Sequence, residues 1–158
     1  DMTLPDFESL DATRALYTKH PNAQRPPFVL KGDHLAAMTF WHGEILNDWA
    51  NDWVAYWTDG EGEFVTSAME DTGTMQALTW LTRAGRADRD RLVLRTASNY
   101  TMPPPGIDAA TNLLAENEGY AGLDASLESA YIVGSKVVDT LVANWEIFRD
   151  RTPTPADL

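Results

Sequence analysis

The order of apolar runs along this 158-residue chain predicts an α/β fold, a parallel sheet with helices on both faces. Three observations predict it. Short apolar runs alternate with longer amphipathic stretches in the order strand, helix, strand, helix, strand, helix. The run Arg91 to Thr96 (RLVLRT) is apolar at three successive positions, as in a strand buried on both faces. Clusters of turn formers, HPNAQRPP at 20–27, DGEG at 59–62 and TMPPPG at 101–106, punctuate the periodic segments.

Taken in order, residues 5–19 read as a short helix, with Pro5 suited to a first turn and Phe7, Leu10, Ala15 and Leu16 as an apolar stripe. Phe28, Val29 and Leu30, ending at Gly32, read as a short buried strand. Residues 41–57 are a strong helix, because Ile45, Trp49, Trp53 and Trp57 recur at steps of four and share one face. That face is expected to be core or an intersubunit contact rather than a sugar platform. Phe64, Val65 and Thr66 form a second strand, 70–84 a helix, 91–97 the third strand, and 108–116 and 124–149 helices, followed by a polar, Pro-rich tail. Three strands are few for a complete sheet and leave two bare edges, so the chain reads as part of a larger domain.

Composition narrows the function. Acidic residues outnumber basic ones 24 to 12, for a formal charge of −12. A chain this negative is expected to bind no nucleic acid and to bind anionic lipid poorly, since neutralising phosphate takes clustered Lys and Arg. No apolar run reaches the roughly 18–20 residues of a membrane helix, and Lys136, Asp139 and Asn144 interrupt the longest, Tyr131 to Trp145. With no cysteine there is no disulfide, zinc–thiolate or thiol chemistry. The histidines, at 20, 34 and 42, fit no metal-ligand spacing, and no metal or cofactor is expected. No signal peptide is expected within these residues, and a chain opening on Asp1 admits removal of an upstream segment.

Three places carry candidate chemistry. Ser67-Ala68-Met69-Glu70-Asp71 lies at a strand-to-helix junction. A carboxylate there meets the positive end of the helix dipole and can accept two hydroxyl hydrogen bonds, as a ribose diol offers. The plain alternative is helix capping by Glu70 and Asp71. Ser98-Asn99-Tyr100 follows the third strand, where ligands sit in open α/β sheets, and an amide can read the edge of a heterocycle. The alternative is a turn asparagine. Lys31-Gly32-Asp33 also follows a strand, with Asp33 as a loop-shaping residue and Phe40 or Trp41 as a stacking ring, against a simple turn and core aromatics.

In combination these pieces resemble the carboxyl-terminal half of the nucleoside phosphorylase/nucleosidase superfamily. Gly32-Asp33 is similar to its Gly-Asp loop, Ala68-Met69-Glu70 to its Met-Glu ribose motif, and LVLRTASN at 92–99 to the strand leading into its base-contacting pair. The purine nucleoside permease branch is the nearer match, through PNAQRPPFVLKGD, AMTFWHG, LNDWANDWV, YWTDG, SAMEDTGT and LRTASNYTMPPPG, over residues 20–149. The resemblance implies a three-layer α/β/α domain about twice this length. The chain would then be either a fragment or a processed product paired with its amino-terminal half as a second chain. It also implies a periplasmic or secreted setting. Glu70 would hold the ribose with Met69 packed on the sugar, and Asn99 would bind the purine. Asp33, Phe40, Trp41, Ser67 and Ser98 complete the implied site.

Two functions follow: cleavage of the N-glycosidic bond, with phosphate as co-substrate if it is phosphorolysis, or nucleoside binding without chemistry in uptake. Where part of the superfamily has Asp, this chain has Asn99, which cannot titrate and so cannot itself protonate a departing purine. An amide at this position is expected to favour 6-oxopurines. A carbohydrate-active domain ranks last, because the adjacent Glu70 and Asp71 point apart on a helix and suit paired acid–base work badly.

Overall fold

The computed structural model describes residues 2–88, 90–116 and 119–154. Arg89 of the charged loop and the end of the Pro-rich tail lie outside them. The described residues form six α-helices and two strands: α1 (Asp11–Leu16), β1 (Asp33–Ala36), α2 (Glu44–Trp57), β2 (Phe64–Ala68), α3 (Asp71–Arg83), α4 (Ala109–Glu116), α5 (Leu123–Ala143) and α6 (Trp145–Phe148). The architecture is mixed helix and sheet, and the strands β1 and β2 pair in parallel with α2 as the crossover.

The first strand falls later than the apolar run at 28–30. Pro26 and Pro27 precede that run and bring no N–H donors. Phe28 instead lies under the guanidinium of Arg25, 3.7 Å from the ring centre, and Val29 and Leu30 are exposed. Pairing starts at Asp33. Its N–H donates to Glu63 O at 2.8 Å, and its Oδ2 accepts from Glu63 N–H at 2.9 Å. His34 then faces Thr66, Leu35 faces Ser67, and Ala36 faces Ala68. Gly32 makes this approach possible, because a Cβ built there would lie 2.1 Å from Val65 Cγ2.

α2 is the predicted helix, and within the chain its apolar stripe is only partly covered. Ala50 and Val54 face inward, and Trp41 from the preceding loop is 3 % exposed, with ring centres 5.5 Å from Trp49 and 6.0 Å from Trp53. Ile45 and Trp57, on the same stripe, stay open to solvent. The predicted helix over 124–149 breaks at Asn144. Its side-chain amide donates to Thr140 O at 2.8 Å, which competes with helix continuation.

The predicted strand at 91–97 has no ladder. Leu92, Val93 and Leu94 run beside α3 and are exposed, and none of the backbone hydrogen bonds among the described residues engages them. Apolar, β-branched composition is satisfied only where a neighbouring strand supplies donors and acceptors. Here α3 covers one side and nothing among the described residues pairs the backbone. The total surface agrees: 11685 Å² is accessible, against roughly 8,000 Å² for a self-contained monomer of this mass. Tyr17 pins the N-terminal segment to the other end of this region, with its hydroxyl donating to Met102 O at 2.9 Å and its ring 4.3 Å from that of Tyr100.

Candidate functional site

The end of β2 delivers Glu70 to the start of α3. Glu70 is the residue at the helix boundary, yet its side chain makes no cap hydrogen bond and is 71 % exposed. The capping alternative therefore does not describe it. Asp71, one residue on, meets the same guanidinium but is far less exposed, at 16 %. Its carboxylate takes Arg95 Nε at 2.7 Å and Nη2 at 2.7 Å, a two-point pairing, while Nη2 also lies 3.4 Å from Glu70 Oε2. Arg95 holds Asp71's pKa below the usual carboxylate range.

His34 of β1 completes the cluster. Its Nδ1 is 2.8 Å from Thr66 Oγ1. Its Nε2 is 3.1 Å from Asp71 Oδ2 without hydrogen-bond alignment, a charge contact only when the ring is protonated. Burial pushes the His34 pKa below its ordinary 6.5, with Arg95 in the same sense and Asp71 and Glu70 opposing. Below pH 6.5 the unfolded chain takes up a proton that the folded chain resists, so His34's contribution is full above that pH and is lost as pH falls. Asp71 adds to the loss at lower pH: its contribution is full above 3.8 and disappears as pH drops through its depressed value. Denaturant midpoints measured from pH 8 down to 4 are expected to decline below about 6.5, and His34→Gln is expected to flatten part of that decline. An identical profile for the variant would remove His34 from the account.

Beside this cluster lies a hollow of about 370 Å³, with Glu70, Asp71 and Arg95 at one end and Met75, Leu78 and Leu92 along its walls. Arg91 closes the far end of α3, donating to Leu78 O at 3.0 Å and to the Thr82 hydroxyl. The size falls in the ~300–1,000 Å³ range of small-molecule sites. Met69, which precedes Glu70, is partly exposed. Ser67 lies in β2 opposite Leu35.

Asn99 belongs to a second cluster. Gly122 N–H holds Ser98 O at 3.1 Å at the foot of α5. Asn99 Nδ2 donates to Glu116 Oε2 at 2.9 Å, and Ser98 Oγ donates to Asn99 Oδ1 at 3.1 Å. Asn99 is not in the wall of the hollow, which runs as far as Arg95. Four residues of chain from Arg95 limit the separation of those two Cα atoms to about 14 Å.

The remaining implied residues are placed as follows. Asp33 is spent on the start of the ladder. Three residues of rise, about 10 Å, separate it from the end of β1 that faces Ala68, just before Met69 and Glu70. Trp41 is buried against Trp49 and Trp53, with its indole Nε1 unpaired, while Phe40 is exposed. Arg95, His34 and Glu116 were not among the sequence candidates. A basic residue closing the run LVLR, in a chain so short of cations, was the one available signal for Arg95. No group of three or more His, Asp or Glu among the described residues could hold a metal ion, and no helix among them is long and apolar enough to cross a membrane.

No solved structure matches this chain. It is 33 % identical over 134 residues to a purine nucleoside permease of Candida albicans, covering 84 % of this chain and 32 % of that protein. It is 27 % identical over 146 residues to a probable purine nucleoside permease of Schizosaccharomyces pombe, covering 92 % of this chain and 41 % of that one. The chain thus spans about a third to two fifths of the length of these relatives. A family model described as purine nucleoside permease (NUP) matches residues 1–153, nearly every residue here, and the chain belongs to that family.

Proposed function

We propose that this chain forms the ribose-side wall, and the adjoining base-side loop, of a purine nucleoside site that serves nucleoside uptake. The observation that carries the reading is Glu70: an exposed carboxylate, free of capping duty, beside Arg95 at one end of a hollow lined by both polar and apolar side chains. A carboxylate can accept both hydroxyls of a ribose. Asn99, on the loop that continues from Arg95, is the base-reading amide. Capture of exogenous nucleosides belongs in a periplasmic or secreted setting.

The site is one part of a larger three-layer α/β/α domain, and polypeptide equivalent to the unmatched part of the relatives covers the bare apolar faces. Supporting this are the excess accessible surface and the exposed Ile45, Trp57 and Leu92.

A second reading, cleavage of the N-glycosidic bond, is favoured by the same carboxylate. Positive charge grows on the ribose as that bond breaks, and an anion beside the sugar strengthens its hold as it does. One experiment separates the two. The intact protein is titrated with inosine by calorimetry and incubated with it, with and without phosphate. Binding without release of hypoxanthine is the expected result. Hypoxanthine only with phosphate means phosphorolysis, and hypoxanthine without it means hydrolysis. Absence of both binding and product would end the proposal.

A further inference from the structure

Asn99 can read a purine only if its amide is held one way round, because exchanging its oxygen and nitrogen exchanges acceptor for donor. Glu116, the last residue of α4, removes that freedom. Its Oε2 accepts from Asn99 Nδ2 at 2.9 Å, and its Oε1 accepts from Asn112 Nδ2 at 2.9 Å, one turn earlier on the same helix. Asn112 Nδ2 is also 3.1 Å from Nε2 of His42, which is buried at 7 % exposure. The Asn112 amide thus lies between His42 and Glu116, and the carboxylate is held from behind. A carboxylate only accepts, so turning Asn99 over would set its carbonyl oxygen against a carboxylate oxygen. Ser98 Oγ, at 3.1 Å from Asn99 Oδ1, completes the fixed arrangement.

Resting on the base-reading role proposed above for Asn99, we infer that Glu116 is the positioning residue that sets purine specificity, by locking the order in which Asn99 offers its donor and acceptor. The base meets one free N–H and one remaining lone pair in a set sequence. A 6-oxopurine and a 6-aminopurine place opposite demands on that sequence. Glu116 touches no substrate in this account; it acts only through Asn99.

Glu116→Gln tests this, since the replacement has the same shape but an amide that can both donate and accept. Asn99 can then sit either way. Two measurements are made on the intact protein. The first is the Kd ratio for inosine and adenosine. It is expected to move towards one by about five- to tenfold, the worth of one neutral hydrogen bond, while Glu116→Asp keeps part of the preference. The second is the Asn99 side-chain ¹⁵N–¹H resonance without nucleoside. It is expected to shift and to exchange faster with solvent in Glu116→Gln. An unaltered ratio with both nucleosides still bound overturns the specificity role, and so does a folded variant that binds neither nucleoside. An unaltered resonance overturns the locked amide. If wild type binds no nucleoside, the proposed function fails, and the resonance still decides the orientation on its own. If Glu116→Gln does not fold, Asn112→Ala, which loosens the carboxylate from behind, is read against the same criteria.

Discussion

Glu70→Gln lowers the affinity of the intact protein for inosine by about one to two orders of magnitude, the range set by hydrogen bonds to a charged group. The variant keeps the shape of the side chain and one carbonyl acceptor. It loses the second acceptor and the charge, so one ribose hydroxyl faces an N–H donor instead of an oxygen. Folding is expected to be untouched, because Glu70 is exposed and caps nothing, and the enclosed pairing of Arg95 with Asp71 remains. Calorimetric titration checks the affinity and a denaturant midpoint checks the fold. An unchanged Kd takes Glu70 out of the ribose wall. A lowered midpoint with unchanged Kd returns it to a structural role.

Gly32→Ala is expected to cost about 2 kcal/mol of stability, as overpacking in a tight site does. The added methyl would lie 2.1 Å from Val65 Cγ2, 2.9 Å from Val65 Cβ and 3.5 Å from Glu63 O. Rotating Val65 relieves the first contact but not the second, so the start of the β1–β2 ladder has to open. That opening loosens the Asp33–Glu63 clamp and, through β1, the placement of His34 against Asp71. Chemical denaturation reads the loss. Val65→Ala in the same molecule removes the nearest atom and is expected to restore part of it, giving a double variant less damaged than the sum of the singles. A midpoint equal to wild type for Gly32→Ala would show that the strands separate there without cost.

Which parts of the fold could be read from the chain depended on whether the signal was local. α2 and α3 were legible because their apolar positions recur at helical spacing, and β2 because Phe64, Val65 and Thr66 suit a pleated surface. Phe28, Val29 and Leu30 misled, since two prolines upstream weigh more than three apolar side chains, and pairing waited for a glycine beyond which two backbones could meet. Leu92 to Leu94 has strand composition, but a strand also needs a neighbour, and composition says nothing about who stands beside it. The tryptophan stripe was legible as a stripe; its partial cover by Trp41 was not, because that contact depends on how a loop returns across the helix.

The candidate site divides in the same way. Glu70 and Asn99 were visible because each sits just past a predicted strand. Arg95 lies 24 positions from Asp71, His34 lies 37 from it, and Glu116 lies 17 beyond Asn99, so each reaches its partner only once the chain has folded. Long-range ion pairs and amide locks leave no periodic trace. The Glu70–Asp71 doublet was expected to point apart on a helix, yet one guanidinium, Arg95, reaches both carboxylates, and they differ in exposure: Asp71 is largely covered and Glu70 faces solvent.

The run Leu92–Val93–Leu94 carries a hazard as well as a place in the fold. Three branched, uncharged residues with open backbone donors and acceptors are the kind of segment from which cross-β stacking grows. Arginines bracket it on both sides, and their charge opposes the stacking of identical copies in register. Those same two guanidiniums tie the run to α3, through Leu78 O at one end and Asp71 at the other. Fastening the segment and guarding it against fibril formation are therefore one and the same task, and a change that frees either arginine's neighbour from its helix exposes a sticky tape to other molecules.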